Sequence, residues 1–151
     1  MIEINNLTKS EIDEKFLKKI AEIVLKKEKR SENLSIAFVG PGRMKKLNKK
    51  YRGKNRVTDV LAFPETKTIF RNFGEELQKK IQGIGEIVIC PKRVKKNAKR
   101  FGVAFREEIS RVLIHGILHL LGYDHEKSEK EAKEMKEKED FYLSHILKNN
   151  L

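Results

Sequence analysis

Apolar and polar residues alternate from Ile2 to Leu7, a period of two that predicts a first strand. The period then lengthens. Ile12, Phe16, Leu17, Ile20, Ile23 and Val24 recur at helical spacing behind a Ser10-x-x-Asp13 start signal, which predicts a helix running to about Lys29. Leu34 to Val39 is a short apolar run closed by Gly40-Pro41-Gly42 and predicts a second strand. Met44, Leu47 and Tyr51 space a short basic helix that stops at Gly53. Val57 to Phe63 predicts a third strand, ended by Pro64. Residues 64–85 fit no single pattern: Glu75 to Ile81 has helical spacing, and the whole segment also reads as a mobile flap. Ile84 to Cys90, rich in β-branched residues, predicts a fourth strand, and Pro91 opens a helix to Phe101.

The run Glu107 to Leu121 is apolar at Ile109, Val112, Leu113, Ile114, Ile117 and Leu118 among others, the pattern of a mostly buried helix. A last helix is predicted from Ser128 to Leu147; residues 126–140 hold seven acids and five lysines, the mix of a solvated face laced with i,i+4 pairs. Strands interleaved with helices around one sheet give an α+β or mixed α/β domain. The reading adopted is α+β: a single domain over residues 1–151, with a small mixed four-stranded sheet packed with helices and a metalloprotease-like metal-binding helix. No repeat, low-complexity segment or linker interrupts it. The lone Cys90 excludes an internal disulfide and is expected to pack as a small apolar residue at a strand end. The N-terminus lacks signal-peptide features, and no stretch nears the ~18 apolar residues of a membrane span, so a cytoplasmic setting is expected.

Candidate chemistry is concentrated in one string. Three of the four histidines, His115, His119 and His125, fall in H-G-I-L-H-L-L-G-Y-D-H. On a helix, positions i and i+4 share a face with Cβ atoms about 5–6 Å apart. His115 and His119 can therefore converge on one ion at bonds of roughly 2.0–2.1 Å. Gly122 suits the left-handed residue that ends the helix, and Tyr123-Asp124 return the chain so that His125 can add a third bond. Three imidazoles suit one Zn²⁺ per chain, with other divalent transition metals such as Ni²⁺ or Cu²⁺ admissible on affinity. Three protein ligands leave a position open, the mark of a catalytic rather than a structural ion. The fourth histidine, His145, reads as an ordinary surface or packing residue.

The spacing is also that of metzincin peptidases, H-E-x-x-H-x-x-G-x-x-H, but their catalytic glutamate is replaced by Gly116. Glu107 and Glu108 lie about two turns away and cannot substitute. A metal-dependent peptidase is thus disfavoured. Charge supplies the positive argument. Lys+Arg number 34 against 22 Asp+Glu, a net +12. Residues 41–58 carry eight cations and residues 91–106 seven, with no acid in either stretch. Two such stretches in one small domain favour a polyanion, and a metal centre beside them makes phosphodiester hydrolysis the natural reaction. A non-catalytic RNA- or ribosome-binding factor with a structural zinc is the competing class; it would need a fourth ligand, and none is evident nearby.

Around these residues the chain resembles the YbeY family of metal-dependent endoribonucleases. The resemblance rests on His115 to His125, on Leu47-Asn48-Lys49-Lys50-Tyr51-Arg52-Gly53-Lys54 continued by Thr58-Asp59-Val60-Leu61-Ala62-Phe63-Pro64, and on Gly85-Glu86-Ile87-Val88-Ile89-Cys90. It implies a metal-binding α+β fold, a cytoplasmic location and cleavage of single-stranded RNA. It further implies roles in 3′-end maturation of small-subunit ribosomal RNA and in ribosome quality control. The partners would then be single-stranded rRNA regions and the ribosomal small subunit, with no membrane and no DNA. The resemblance also implies one zinc on His115, His119 and His125, and catalytic roles for Arg52 and His115. Charge alone would leave Arg52 as one more surface cation.

Three positions depart from the family pattern. Val57 stands where a proline is frequent, Ala62 where a serine is, and Glu86 where an aspartate is usual. The valine is expected to loosen the loop into the third strand, and the longer glutamate puts any water-positioning role in doubt. Asp124 either orients a ligand imidazole or bonds the backbone of its own turn, with the turn reading favoured.

Overall fold

The computed structural model describes residues 1–64 and 83–149. The helical stretch expected over Glu75 to Ile81, and the flap around it, lie outside the described residues. The elements are β1 (Ile2–Asn6), α1 (Glu14–Lys27), β2 (Asn33–Phe38), α2 (Pro41–Arg52), β3 (Val60–Pro64), β4 (Gly83–Ile89), α3 (Pro91–Phe101), α4 (Phe105–Leu120) and α5 (Glu129–Lys148).

The four strands form one mixed sheet in the order β1-β2-β4-β3. β1 pairs parallel with β2 (Ile4 opposite Ile36), and β2 pairs parallel with β4 (Ile36 opposite Ile87). β3 runs antiparallel on the far edge, with Leu61 opposite Val88. This is the α+β architecture expected from the sequence. The two central strands are buried on both faces, which is why I-A-F and I-V-I read as unbroken apolar runs.

Alternation along the strands divides the core. Leu34, Ile36, Phe38, Ile87 and Ile89 meet α1, α4 and α5 through residues such as Leu17, Ile20, Leu113, Ile117 and Tyr142. On the opposite face Val39, Leu61, Phe63, Val88 and Cys90 pack against Met44 and Leu47 of α2. Cys90 is fully buried there, and burial pushes its thiol up, as befits a small apolar filler. The hub is α4, which packs against α1, α3, α5, β3 and β4. Gly116 lets it lie close on the sheet: a Cβ there would stand 3.1 Å from Cγ2 of Ile87.

Several boundaries differ from the sequence expectation, two of them because a side chain takes a backbone group. Helix α1 starts later, capped by Asp13, whose Oδ1 accepts from the Phe16 N–H at 3.1 Å; Ser10 instead belongs to the preceding turn, with its N–H donating to Thr8 Oγ1. Pro41 does not merely end β2 but occupies the first turn of α2. The third strand begins at Val60 rather than Val57. Asn48 Nδ2 donates to the Arg56 carbonyl (2.9 Å) and Asp59 Oδ1 accepts from the Val60 N–H (2.8 Å), so residues 56–59 form a side-chain-braced loop.

Candidate active site

His115 and His119 occupy the last turns of α4, and the helix ends where Gly122 takes φ 103°. There the Gly122 N–H donates to the His119 carbonyl and the Tyr123 N–H to the Leu118 carbonyl, closing the helix end. Asp124 Oδ1 accepts from the Glu126 N–H at 2.8 Å, so this carboxylate bonds its own turn, as favoured from the sequence. The turn is tied down elsewhere too. Tyr123 donates its hydroxyl to Glu28 Oε1 (2.8 Å), and Glu28 Oε2 also accepts from Tyr142 and from Lys138 Nζ. Burial works to raise the Glu28 carboxyl, but the donors Tyr142, Tyr123 and Lys138 outweigh it and hold the group below its ordinary value.

This geometry brings the three histidines together. Ring centroids of His115 and His125 are 5.1 Å apart, and those of His119 and His125 6.5 Å. Imidazoles sharing one ion through bonds of roughly 2.0–2.1 Å have centroids about 5 Å apart. The first pair has that spacing and the second is wider. Accordingly, among the described residues no group of three or more His, Cys, Asp and Glu is already arranged to hold a metal ion. The donors nevertheless suit one in kind, since three imidazoles line one cleft, and the His125 side chain is 46% exposed.

His119 adds a second sign. Its Nδ1 is buried with no hydrogen-bond partner among the described residues. A buried nitrogen left this way costs about 1–3 kcal/mol, a strain expected at a functional site rather than in a settled core. Burial holds this imidazole below its usual range, with His115 and Arg52 adding to the effect and Asp124 opposing it. The Tyr123 backbone also opposes the lowering. A neutral imidazole is the ligand form. His115 differs: its Nδ1 lies 3.2 Å from Oε2 of Glu139 on α5. His145 stands apart, near Asn149 at the end of α5.

Arg52 is the last residue of α2, which Gly53 closes in the left-handed conformation at φ 71°. One guanidinium nitrogen donates to the Ala62 carbonyl at 2.9 Å, and the group sits 5.8 Å from the Phe63 ring. The arginine is thereby held on β3 at the mouth of a cleft of about 420 Å³ that it lines together with His115, His119 and His125. Lys54 and Arg56 stand on the same rim, and buried Asn48 forms part of its wall. The remaining cations of the two acid-free stretches lie on the outer faces of α2 and α3, whose inner faces bury Met44, Leu47, Val94 and Ala98, except Arg106, which sits in the first turn of α4, 3.3 Å from Asp13.

The departures fall into place. Val57 is partly buried against the Leu61–Phe63 side of the sheet. Ala62 offers only its backbone carbonyl to Arg52, which any residue could do. Glu86 alternates with Ile87 in β4 and so falls on the sheet face away from α4; it does not line the cleft. Sequence reading missed Glu139, Asn48 and Glu28. Glu139 carried a readable signal, since it interrupts the apolar stripe Met135, Tyr142, Leu143 and Ile146 of α5.

Comparison with known proteins places the chain among relatives. The family model described as Endoribonuclease YbeY matches residues 3–147. The endoribonuclease YbeY of Thermodesulfovibrio yellowstonii is 47% identical over 116 residues, covering 75% of this chain and 66% of that protein. The same-named protein of Thermotoga neapolitana is 40% identical over 136 residues (90% of this chain, 81% of that one), and that of Petrotoga mobilis 40% over 148 (97% and 94%). A solution structure from Thermotoga maritima superimposes with a TM-score of 0.67 at 37% identity, covering 99% of this chain and 91% of that one. The α+β fold is shared with that structure, and the chain belongs to the YbeY endoribonuclease family.

Proposed function

We propose that this protein is a zinc-dependent endoribonuclease of the cytoplasm that cuts single-stranded RNA. Its substrates are rRNA regions of the small ribosomal subunit, in 3′-end maturation and ribosome quality control. The observation that carries the reading is the meeting of three imidazoles and one backbone-anchored arginine in a single cleft beside two basic helices. The name printed for the relatives supports the RNA substrate, and no helix among the described residues is long and apolar enough to cross a membrane.

His115, His119 and His125 would hold the ion. When bound, it supplies Lewis acidity toward the phosphodiester and activation of water at neutral pH. The chain's own groups do the rest. Arg52, fixed to Ala62 by one nitrogen, has further donors for the scissile phosphate and stabilises charge growing on its oxygens. Lys54, Arg56 and the exposed faces of α2 and α3 hold the flanking backbone through phosphate contacts. Gly116 leaves position 116 without the carboxylate a peptidase of this spacing needs, and Ile87 beneath it leaves little room for one.

The test is cleavage of single-stranded RNA by purified protein, wild type against His115→Ala, with metal content measured on both. Cleavage and one ion per chain in the wild type, both lost in the variant, are expected. Equal turnover by the two would reject the site.

A further inference from the structure

Helix α5 turns an apolar stripe to the core, and Glu139 lies within it at 8% exposure, between Met135 and the Tyr142–Leu143 pair. A carboxylate is stable there only with partners, because desolvation of an unpaired charge is expensive. Two come from α4. His115 Nδ1 stands 3.2 Å from Oε2, and the Arg111 guanidinium, one turn earlier, 3.9 Å from Oε1. Arg111 is itself gathered between Glu108 (3.6 Å) and Asp140 (3.8 Å), so it bridges α4 and α5 beneath the histidine.

The geometry points to Glu139 as a positioning residue: it fixes His115 in the Nδ1–H tautomer, so that the Nε2 lone pair is the one offered to the cleft. An ionised carboxylate only accepts hydrogen bonds, so the nitrogen facing it carries the proton. A neutral imidazole has one proton, and Nε2 is left as the free donor atom. Such a carboxylate behind a ligand histidine also removes rotational freedom that binding would otherwise have to freeze. Among the three histidines this arrangement is particular to His115. His119 Nδ1 has no partner among the described residues, and His125 Nε2 lies 3.8 Å from Glu126 Oε1, beyond a hydrogen bond. His115 is therefore the preset arm of the trio. The inference rests on the reading of His115 as a metal ligand, and adds that α5 is part of the binding machinery rather than a cover over the core.

The experiment is zinc titration against a competing chelator for wild type, Glu139→Ala and Glu139→Gln, with nitrogen-15 NMR of the His115 ring in the metal-free proteins. Glu139→Ala is expected to weaken zinc about 10–100-fold and to release His115 from the Nδ1–H form. Glu139→Gln, which keeps an acceptor of the same shape, should recover most of the affinity and of the tautomer; if the alanine variant does not fold, the His115 tautomer of the wild type is the readout. Tight wild-type binding left unchanged in a folded Glu139→Ala variant would overturn the role of Glu139 alone. A wild type that binds no zinc would overturn the metal reading together with this one. An Nε2–H tautomer for His115 in the wild type would overturn the inference whatever the affinities.

Discussion

Gly116 allows a prediction whose sign depends on one neighbour. Glycine inside a helix is about 0.8–1.0 kcal/mol less favourable than alanine, so Gly116→Ala should stabilise α4 if nothing else intervenes. Something does. The added Cβ would lie 3.1, 3.3 and 3.4 Å from Cγ2, Cδ1 and Cγ1 of Ile87, a side chain with no exposed surface at the centre of the core. Forcing an extra methyl into a packed interior costs about 1–3 kcal/mol. The difference favours the wild type by about 1 kcal/mol, or roughly 2–4 °C in Tm for a domain of this size. Replacing Ile87 by alanine removes all three opposing atoms. That change alone destabilises by about 2–5 kcal/mol, but on its background Gly116→Ala should become stabilising by about 1 kcal/mol, the propensity effect alone. Urea unfolding of the wild type, the two single variants and the double variant measures this directly as a cycle. Gly116→Ala stabilising both backgrounds equally would refute the close helix–sheet contact, and with it the steric reason that a peptidase glutamate is absent from this position.

Arg52→Ala should retain zinc while cleavage falls on the order of 10²–10³-fold, as for loss of an oxyanion donor, and Arg52→Lys should not restore it because an ammonium lacks the planar fork; full turnover by either variant would remove Arg52 from the reaction. Affinity for single-stranded RNA should fall steeply with salt, with a log–log slope of about −0.7 per phosphate neutralised, and a flat profile would assign the basic faces of α2 and α3 to another use. Glu28 is held below its ordinary value, so its contribution to stability is present above the unfolded value of about 4.3 and disappears as pH falls through the folded one. Glu28→Gln should therefore destabilise at neutral pH by about 1–3 kcal/mol while narrowing the gap to wild type in acid; a gap that stays constant on acidification would show that the carboxylate charge is not what holds Tyr123, Tyr142 and Lys138.

What could be read in the chain follows from how local each signal is. His115, His119 and His125 fall within one helix end and one turn, so spacing alone brought them together, and Gly122 marked the turn. Arg52 was different. It is one of 34 basic residues, and only its backbone-anchored position beside the histidines, which needs α2 and β3 folded together, separates it from the rest. Glu139 pairs with His115 across 24 residues, a contact no window along the sequence contains. Its trace was a charged residue in an apolar stripe, a pattern worth treating as a question about buried partners. The third strand was drawn too long because Val57-Thr58-Asp59 has strand composition, whereas Asn48 and Asp59 take up the backbone groups of Arg56 and Val60 on either side of that stretch with their side chains.

The site also has an electrostatic logic that belongs to the fold as a whole. Helices α2 and α4 both end at the cleft, one at Arg52 and the other just beyond His119. A helix C-terminus carries roughly half a negative charge from its unpaired carbonyls. Partial negative charge near the cleft favours a cation inside it and opposes a phosphate. Arg52, placed on the end of α2, answers one of these partial charges, and the histidine trio lies at the end of the other. An RNA backbone brought in by the outer faces of α2 and α3 would thus meet a cleft whose attraction for phosphate rests on Arg52, Lys54, Arg56 and whatever cation the imidazoles hold. On this reading, binding along the surface and seating of the scissile phosphate would be separate properties: the first would belong to the exposed lysines and arginines of α2 and α3, the second to a few groups at the ends of α2 and α4.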